Sequence, residues 1–122
     1  MNSHFNAVDK LPDGDYILSA RHCDTIYKIS HVDGSIVWRL GGKQSDFYTD
    51  DVDFSRQHDA GVVSQNQTHT VIKFLDNALG EGHGALHDAT HDFSRGLIVA
   101  LRTDITPMVA SLVAHYLSLI HI

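Results

Sequence analysis

Apolar and polar residues alternate in short runs along most of the chain, which is the period of half-buried β-strands and not of helices. FNAVDK (5–10), YILSAR (16–21), TIYKI (25–29) and SIVWRL (35–40) read as four successive strands. LPDGD turns the chain at Pro12, Asp13 and Gly14 between the first two, and HVDG supplies an Asp-Gly hairpin turn before the fourth. HDAGVV, HTVIKFLDN, RGLIVALRTD and MVASLVAHY predict four more strands. Between the two sets, GGKQSDFYTDDVDFSR (41–56) is polar and acidic and reads as a long connection, its run Asp46, Asp50, Asp51 and Asp53 as solvated loop surface. The Gly- and His-rich stretch ALGEGHGALHDATHDFS (78–94) reads as a loop inside the second set.

The second set is expected to repeat the first in order and length, with His4 and His58, 54 residues apart, opening each. A four-stranded antiparallel unit recurring at roughly 40 to 50 residues is the signature of propeller blades. The expected fold is therefore all-β, with about two four-stranded antiparallel blades at 4–40 and 57–116 joined by the acidic connection 41–56. Two blades cannot close a ring, which takes about four to eight. The expectation is a fragment of a larger propeller, missing blades of the same protein being its natural partners; the alternative is a self-contained β-sandwich. Open blade edges would favour self-association. The tail LSLIHI repeats nothing earlier.

Composition narrows the partners more than the fold. A chain of 122 residues that is 43% hydrophobic can bury one small core. Nine basic against fifteen acidic side chains, a formal charge of −6, argue against nucleic acid or an anionic membrane but leave room for a local cationic pocket. Cys23 is the single cysteine, so no internal disulfide forms and a buried structural thiol is expected. MNSHFNAVDK has no basic region followed by an apolar run, hence neither a signal peptide nor a spanning helix is expected, and the compartment stays open. The anomaly is the count of ten histidines.

Strand direction gives those histidines a place. In a blade with strands A to D, the start of A, the end of B, the start of C and the end of D share one rim. His4 starts the first A strand, Arg21 and His22 end B, Arg39 of WRLGG ends D, and His58 of RQHDA starts the next A strand. Arg39 reaches inward if Gly41 and Gly42 let the chain cross back through positive φ. Three imidazoles and a guanidinium on one rim describe an anion pocket, since arginine offers a fixed fork of donors and histidine serves as donor, base or nucleophile near neutral pH. Taken singly, each is as readily a hydrogen-bonded strand end or a rim ion pair. Asp9, Asp24 and Asp59 either orient imidazoles or hold turns.

Metal binding is the competing chemistry. His83, His87 and His91 recur every four residues and would face one way on a helix, but they sit among glycines in a predicted loop and without an HExxH glutamate, so no metal site is assigned. A phosphate loop, a dinucleotide glycine pattern and a serine elbow are absent.

The run NAVDKLPDGDYILSARHCDTIYKISHVDGSIVWRLGGKQSDF, with FSRQHDA, THTVIKFLDNA, SRGLIVAL and ASLVAHY in order, resembles the arylsulfotransferase family in its fungal-type branch from His4 to about Tyr116. The combination H-x-N-x-V-D, S-A-R-H, W-R-L-G-G and Q-H-D carries the resemblance. It implies a six-bladed β-propeller that moves a sulfuryl group from a phenolic sulfate ester to a phenol through a sulfated histidine, without nucleotide-activated sulfate or other cofactor. It further implies His58 as nucleophile, His4 and His22 as supporting histidines, and Arg39 as the sulfate-binding arginine. Ala7 stands where the motif has a small hydroxyl residue and Cys23 where it has a small polar one. The substrates implied are a small aromatic sulfate ester and a phenol. A non-catalytic propeller segment acting as a binding scaffold is the alternative.

Overall fold

A computed structural model of the chain describes residues 5–20, 23–76 and 95–117, apart from the side chains of Phe5, Asn6 and Leu117. Among these residues there are nine β-strands and no α-helix. The first four strands, β1 (Phe5–Lys10), β2 (Tyr16–Ala20), β3 (Thr25–Ile29) and β4 (Ile36–Leu40), form one antiparallel sheet in chain order. The turns between them are built as their residues demand. Gly14 takes φ +97° while its amide donates to the Leu11 carbonyl, and the Asp13 carboxylate accepts from the Asp15 amide. Gly34 takes φ +75° and Asp33 accepts from both the amide and the hydroxyl of Ser35.

The second sheet has five strands, ordered β5 (Phe47–Tyr48), β9 (Met108–Leu117), β8 (Arg95–Arg102), β7 (His69–Asp76) and β6 (His58–Gln65). It departs from the predicted unit in two ways. Its main strands run eight to ten residues against five or six in the first sheet, so the order repeats and the length does not. The acidic connection also contributes a short strand of its own, Phe47 and Tyr48 pairing parallel with Met108 and Val109. The cause is Phe47, which is buried edge-on against Trp38 with ring centroids 5.1 Å apart and so draws its neighbours onto the sheet.

Alternation decides which faces meet. Ile17 and Trp38 lie in one cross-strand row of the first sheet, Ile26 and Leu40 in another row of the same face. All four join Ile72, Phe74, Leu97, Val99 and Leu101 of the second sheet in a single buried core. The two sheets are also pinned edge to edge. Gln57 Nε2 bonds the Ala20 and Thr25 carbonyls, Asp9 Oδ2 accepts from the Val62 amide, and Gln65 exchanges hydrogen bonds with Asp13. Since β1 starts opposite Ala20 and finishes beside Asp13, β6 runs alongside it in the same direction.

Candidate functional site

The end of the first sheet at which β1 starts, β2 finishes and β3 starts is where β6 begins. His58 is therefore at that end, as the first residue of β6, paired with Leu75 and half-buried. His4, Arg21 and His22 lie outside the described residues, as do His83, His87 and His91; their neighbours in sequence, Phe5 and Ala20, pair with each other at this same end.

Arg39 is placed differently. It lies on β4, an edge strand of its sheet, one position short of the end, and pairs with Tyr27 of β3. Its row, with Val8 and Leu18, belongs to the face opposite the Ile17–Trp38 row, away from the core. Gln57, the residue before His58, reaches the first sheet at Ala20 on β2 and Thr25 on β3, and β4 lies one further strand spacing, roughly 5 Å, beyond β3. The Arg39 backbone is locked to Asp46, whose carboxylate accepts from the Arg39 amide at 2.8 Å and whose amide donates to the Arg39 carbonyl at 2.9 Å. Burial, with Cys23 beside it, pushes the Tyr27 phenol up, and the Arg39 charge pulls the other way.

Gly41 and Gly42 do carry the chain back over the sheet end through positive φ. A Cβ on Gly41 would meet the Phe54 ring and the Asp24 carbonyl, and one on Gly42 would run into the Thr25 hydroxyl and the Cys23 carbonyl. The turn is thus pressed onto residues 23–25. Asp24, itself at φ +50°, accepts from the Arg56 amide at 2.7 Å. Two of the three carboxylates left open by the sequence hold backbone across the sheet junction: Asp24 takes Arg56, and Asp9 takes Val62.

The backbone around His58 is strained. Arg56 and Asp59 adopt φ +47° and +57°, a region that costs L-residues about 1–2 kcal/mol each. Between His58 and Gly61 the register slips by one residue, a bulge that interrupts the pairing just past the histidine before it resumes at Gly61. The first strand slips in the same way between Phe5 and Ala7. Both β1 and β6, edge strands of their sheets, thus carry a bulge at their first residues.

Sequence reasoning missed what keeps His58 in place. Gln57 is fully buried, and its Nε2 lies 3.1, 3.2 and 2.9 Å from Ser19 Oγ, Ala20 O and Thr25 O. The stretch before it is tied to the second sheet by a buried ion pair. Arg95 Nε meets Asp76 Oδ2 at 3.3 Å, Asp76 Oδ1 accepts from the Ser55 amide, and Arg95 Nη2 donates to the Asp53 carbonyl. The acidic run is solvated as expected, Asp46, Asp50, Asp51 and Asp53 all being exposed, but Asp53 also lies 3.4 Å from Arg95 Nη2 and Asp51 accepts from the Leu112 amide. A signal for the pair was present. Asp76 continues the inward series Ile72 and Phe74, and Arg95 opens the inward series Leu97, Val99 and Leu101, so opposite charges on core-facing positions of neighbouring strands had one another as the available partner.

Beyond His58 the face of the second sheet turned from the core carries the rows Leu75–Gly96–Tyr116 and Lys73–Ile98–Ala114. An open, largely apolar groove of about 330 Å³ runs along these rows, with Asp59 at its edge. Among the described residues no cluster of three histidine, cysteine or carboxylate side chains is arranged to hold a metal ion.

The family model described as Arylsulfotransferase (ASST) matches residues 2–115. No curated protein and no solved structure matches the chain.

Proposed function

Because the chain belongs to the arylsulfotransferase family, we propose that it carries part of a sulfuryl-transfer site in which His58 is the nucleophile. The observation that supports this most is the placement of His58 at the start of β6, beside the sheet end at which β1 begins and β2 finishes. That is the end to which His4 and His22 are joined in sequence.

In this reading a neutral His58 nitrogen attacks the sulfur of an aryl sulfate in line with the departing oxygen. The S–N bond forms as the S–O bond to the ring breaks, and protonated His22 or His4 gives its proton to the phenolate. An incoming phenol then attacks the same sulfur, its proton passing to that histidine as the S–N bond breaks. Charge on the sulfuryl oxygens needs fixed donors in the transition state. Arg39 is the guanidinium proposed for them; its part stands on the family resemblance.

The two sheets are proposed as neighbouring blades of a propeller. Support comes from β1 and β6 running side by side in the same direction with the remaining strands stacked outward from each. Apolar side chains left on the outward faces, such as Val8 at 63% and Tyr116 at 64% exposure, suit cover by further blades.

The test is transfer by the full-length protein from 4-nitrophenyl sulfate to a phenol, with peptide mass spectrometry of the trapped enzyme. A sulfuryl adduct on His58, and a loss of about 10³-fold or more in His58→Asn, is expected. Transfer that survives His58→Asn overturns the nucleophile, and a full-length protein that neither transfers nor forms an adduct is a binding scaffold.

A further inference from the structure

We propose that Gln57 is a positioning residue, whose buried carboxamide clamps the His58 end of β6 to the Ala20–Thr25 end of the first sheet. The proposal deepens the reading of His58 as nucleophile and rests on it for its catalytic consequence, though not for the clamp itself.

Gln57 and Ser19 hold each other reciprocally. The Ser19 hydroxyl accepts from Gln57 Nε2 at 3.1 Å and lies 3.4 Å from the Gln57 carbonyl, to which it donates. The same amide group reaches the carbonyls of Ala20 and Thr25, two residues paired across β2 and β3. Two N–H groups thus serve three oxygens, and turning the amide over would set its oxygen against the Ala20 and Thr25 carbonyls. Ser19 and Gln57 are both fully buried, so breaking the set strands polar groups away from water.

The clamp sits where the backbone would otherwise relax. Arg56 and Asp59, on either side of Gln57 and His58, are both left-handed. Such residues persist when their surroundings over-determine them. Upstream, the Arg56 amide is held by Asp24; downstream, the bulge interrupts the pairing with β7 until Gly61. The Gln57 side chain grips both strands of the opposing hairpin, so it fixes His58 relative to β2 and β3 and not merely to its own sheet. An attacking nitrogen displaced by about 1 Å loses on the order of 10²-fold in rate.

Gln57→Met keeps the volume and removes the donors, and Ser19→Ala is a milder second variant that removes only the reciprocal bonds. Two measurements on the full-length protein separate the clamp from the chemistry. The first needs no substrate: amide hydrogen exchange at His58 and Thr25 should quicken together by about tenfold in Gln57→Met, with Leu97 and Val99 unchanged. The second uses 4-nitrophenyl sulfate: kcat should fall about 10²-fold with KM moving less than about threefold, and Ser19→Ala should fall between Gln57→Met and wild type. Unchanged exchange overturns the clamp. Quickened exchange with unchanged kcat overturns the positioning role. If Gln57→Met does not fold, Ser19→Ala decides by the same two readouts. Quickened exchange in a protein whose wild type never sulfates His58 supports the clamp and sinks the nucleophile reading alone.

Discussion

Asp76 and Arg95 face each other at the last register position of β7 and the first of β8, both buried, with Arg95 Nε 3.3 Å from Asp76 Oδ2. Each also holds backbone of the connection, Asp76 at Ser55 and Arg95 at Asp53. Deleting one charge leaves the other desolvated without its counter-ion. Arg95→Met should therefore cost about 3–5 kcal/mol. The double variant Asp76→Asn with Arg95→Met should recover a good part of that, because the Asn oxygen still accepts from Ser55 and no charge is left buried. Urea unfolding followed by Trp38, the single tryptophan, measures both; equal losses in the single and double variants would refute the account.

Two glycines with similar backbone should respond differently to alanine. Gly34 and Gly42 have φ +75° and +72°, but a Cβ on Gly34 meets nothing within 4 Å, whereas one on Gly42 collides with the Thr25 hydroxyl and the Cys23 carbonyl. Gly34→Ala should cost about 1 kcal/mol, the conformational term alone. Gly42→Ala should cost at least about 2 kcal/mol more, since the Thr25 hydroxyl also bonds the Cys23 carbonyl and gives way only by losing it. Matched losses in thermal melts would show that the turn is not pressed onto the hairpin.

Phe47 belongs to the core although it lies in a polar stretch. It is 7% exposed and meets Trp38 at an interplanar angle of 88°. Phe47→Ala should destabilise the chain by about 3–5 kcal/mol and shift Trp38 emission to the red as water reaches the indole. An unshifted spectrum would mean that the connection does not cover Trp38.

Acid should weaken the opposite end of the first sheet. The hydrogen bonds from the His31 ring and amide hold the Asp15 carboxyl below the ordinary carboxylate range, outweighing burial and the nearby Asp13 charge. Burial works upward on Asp13, but hydrogen bonds from Lys28, the Asp15 amide and Gln65 bring its net value down as well. Both groups bind protons less tightly folded than unfolded, so their stabilisation is complete above about pH 4 and is lost as pH falls through the lower folded values. Asp15→Asn should lower stability near pH 6 by less than about 1 kcal/mol and narrow the gap to wild type near pH 3. A gap that widens in acid would reverse the sign.

Strand positions were legible because a strand announces itself locally: alternation over five residues marks TIYKI and IVWRL without knowledge of any partner. The Asp33-Gly34 turn was legible for the same reason, its geometry being a property of two adjacent residues. The family, too, lay in the order of short motifs along the chain. What the tertiary structure decided is whatever depends on contacts made across the chain. Phe47 reads as a loop aromatic until Trp38 supplies a surface for it, and the exposed Asp53 gains a partner only because Arg95, 42 residues on, comes beside its carbonyl. Gln57 is an ordinary polar residue in sequence; it becomes a link between the sheets because burial forces its amide to find Ser19, Ala20 and Thr25. Period and turn chemistry are local free energies that a sequence displays, whereas the pairing of a buried polar group is settled only when folding removes water and leaves one set of partners within reach.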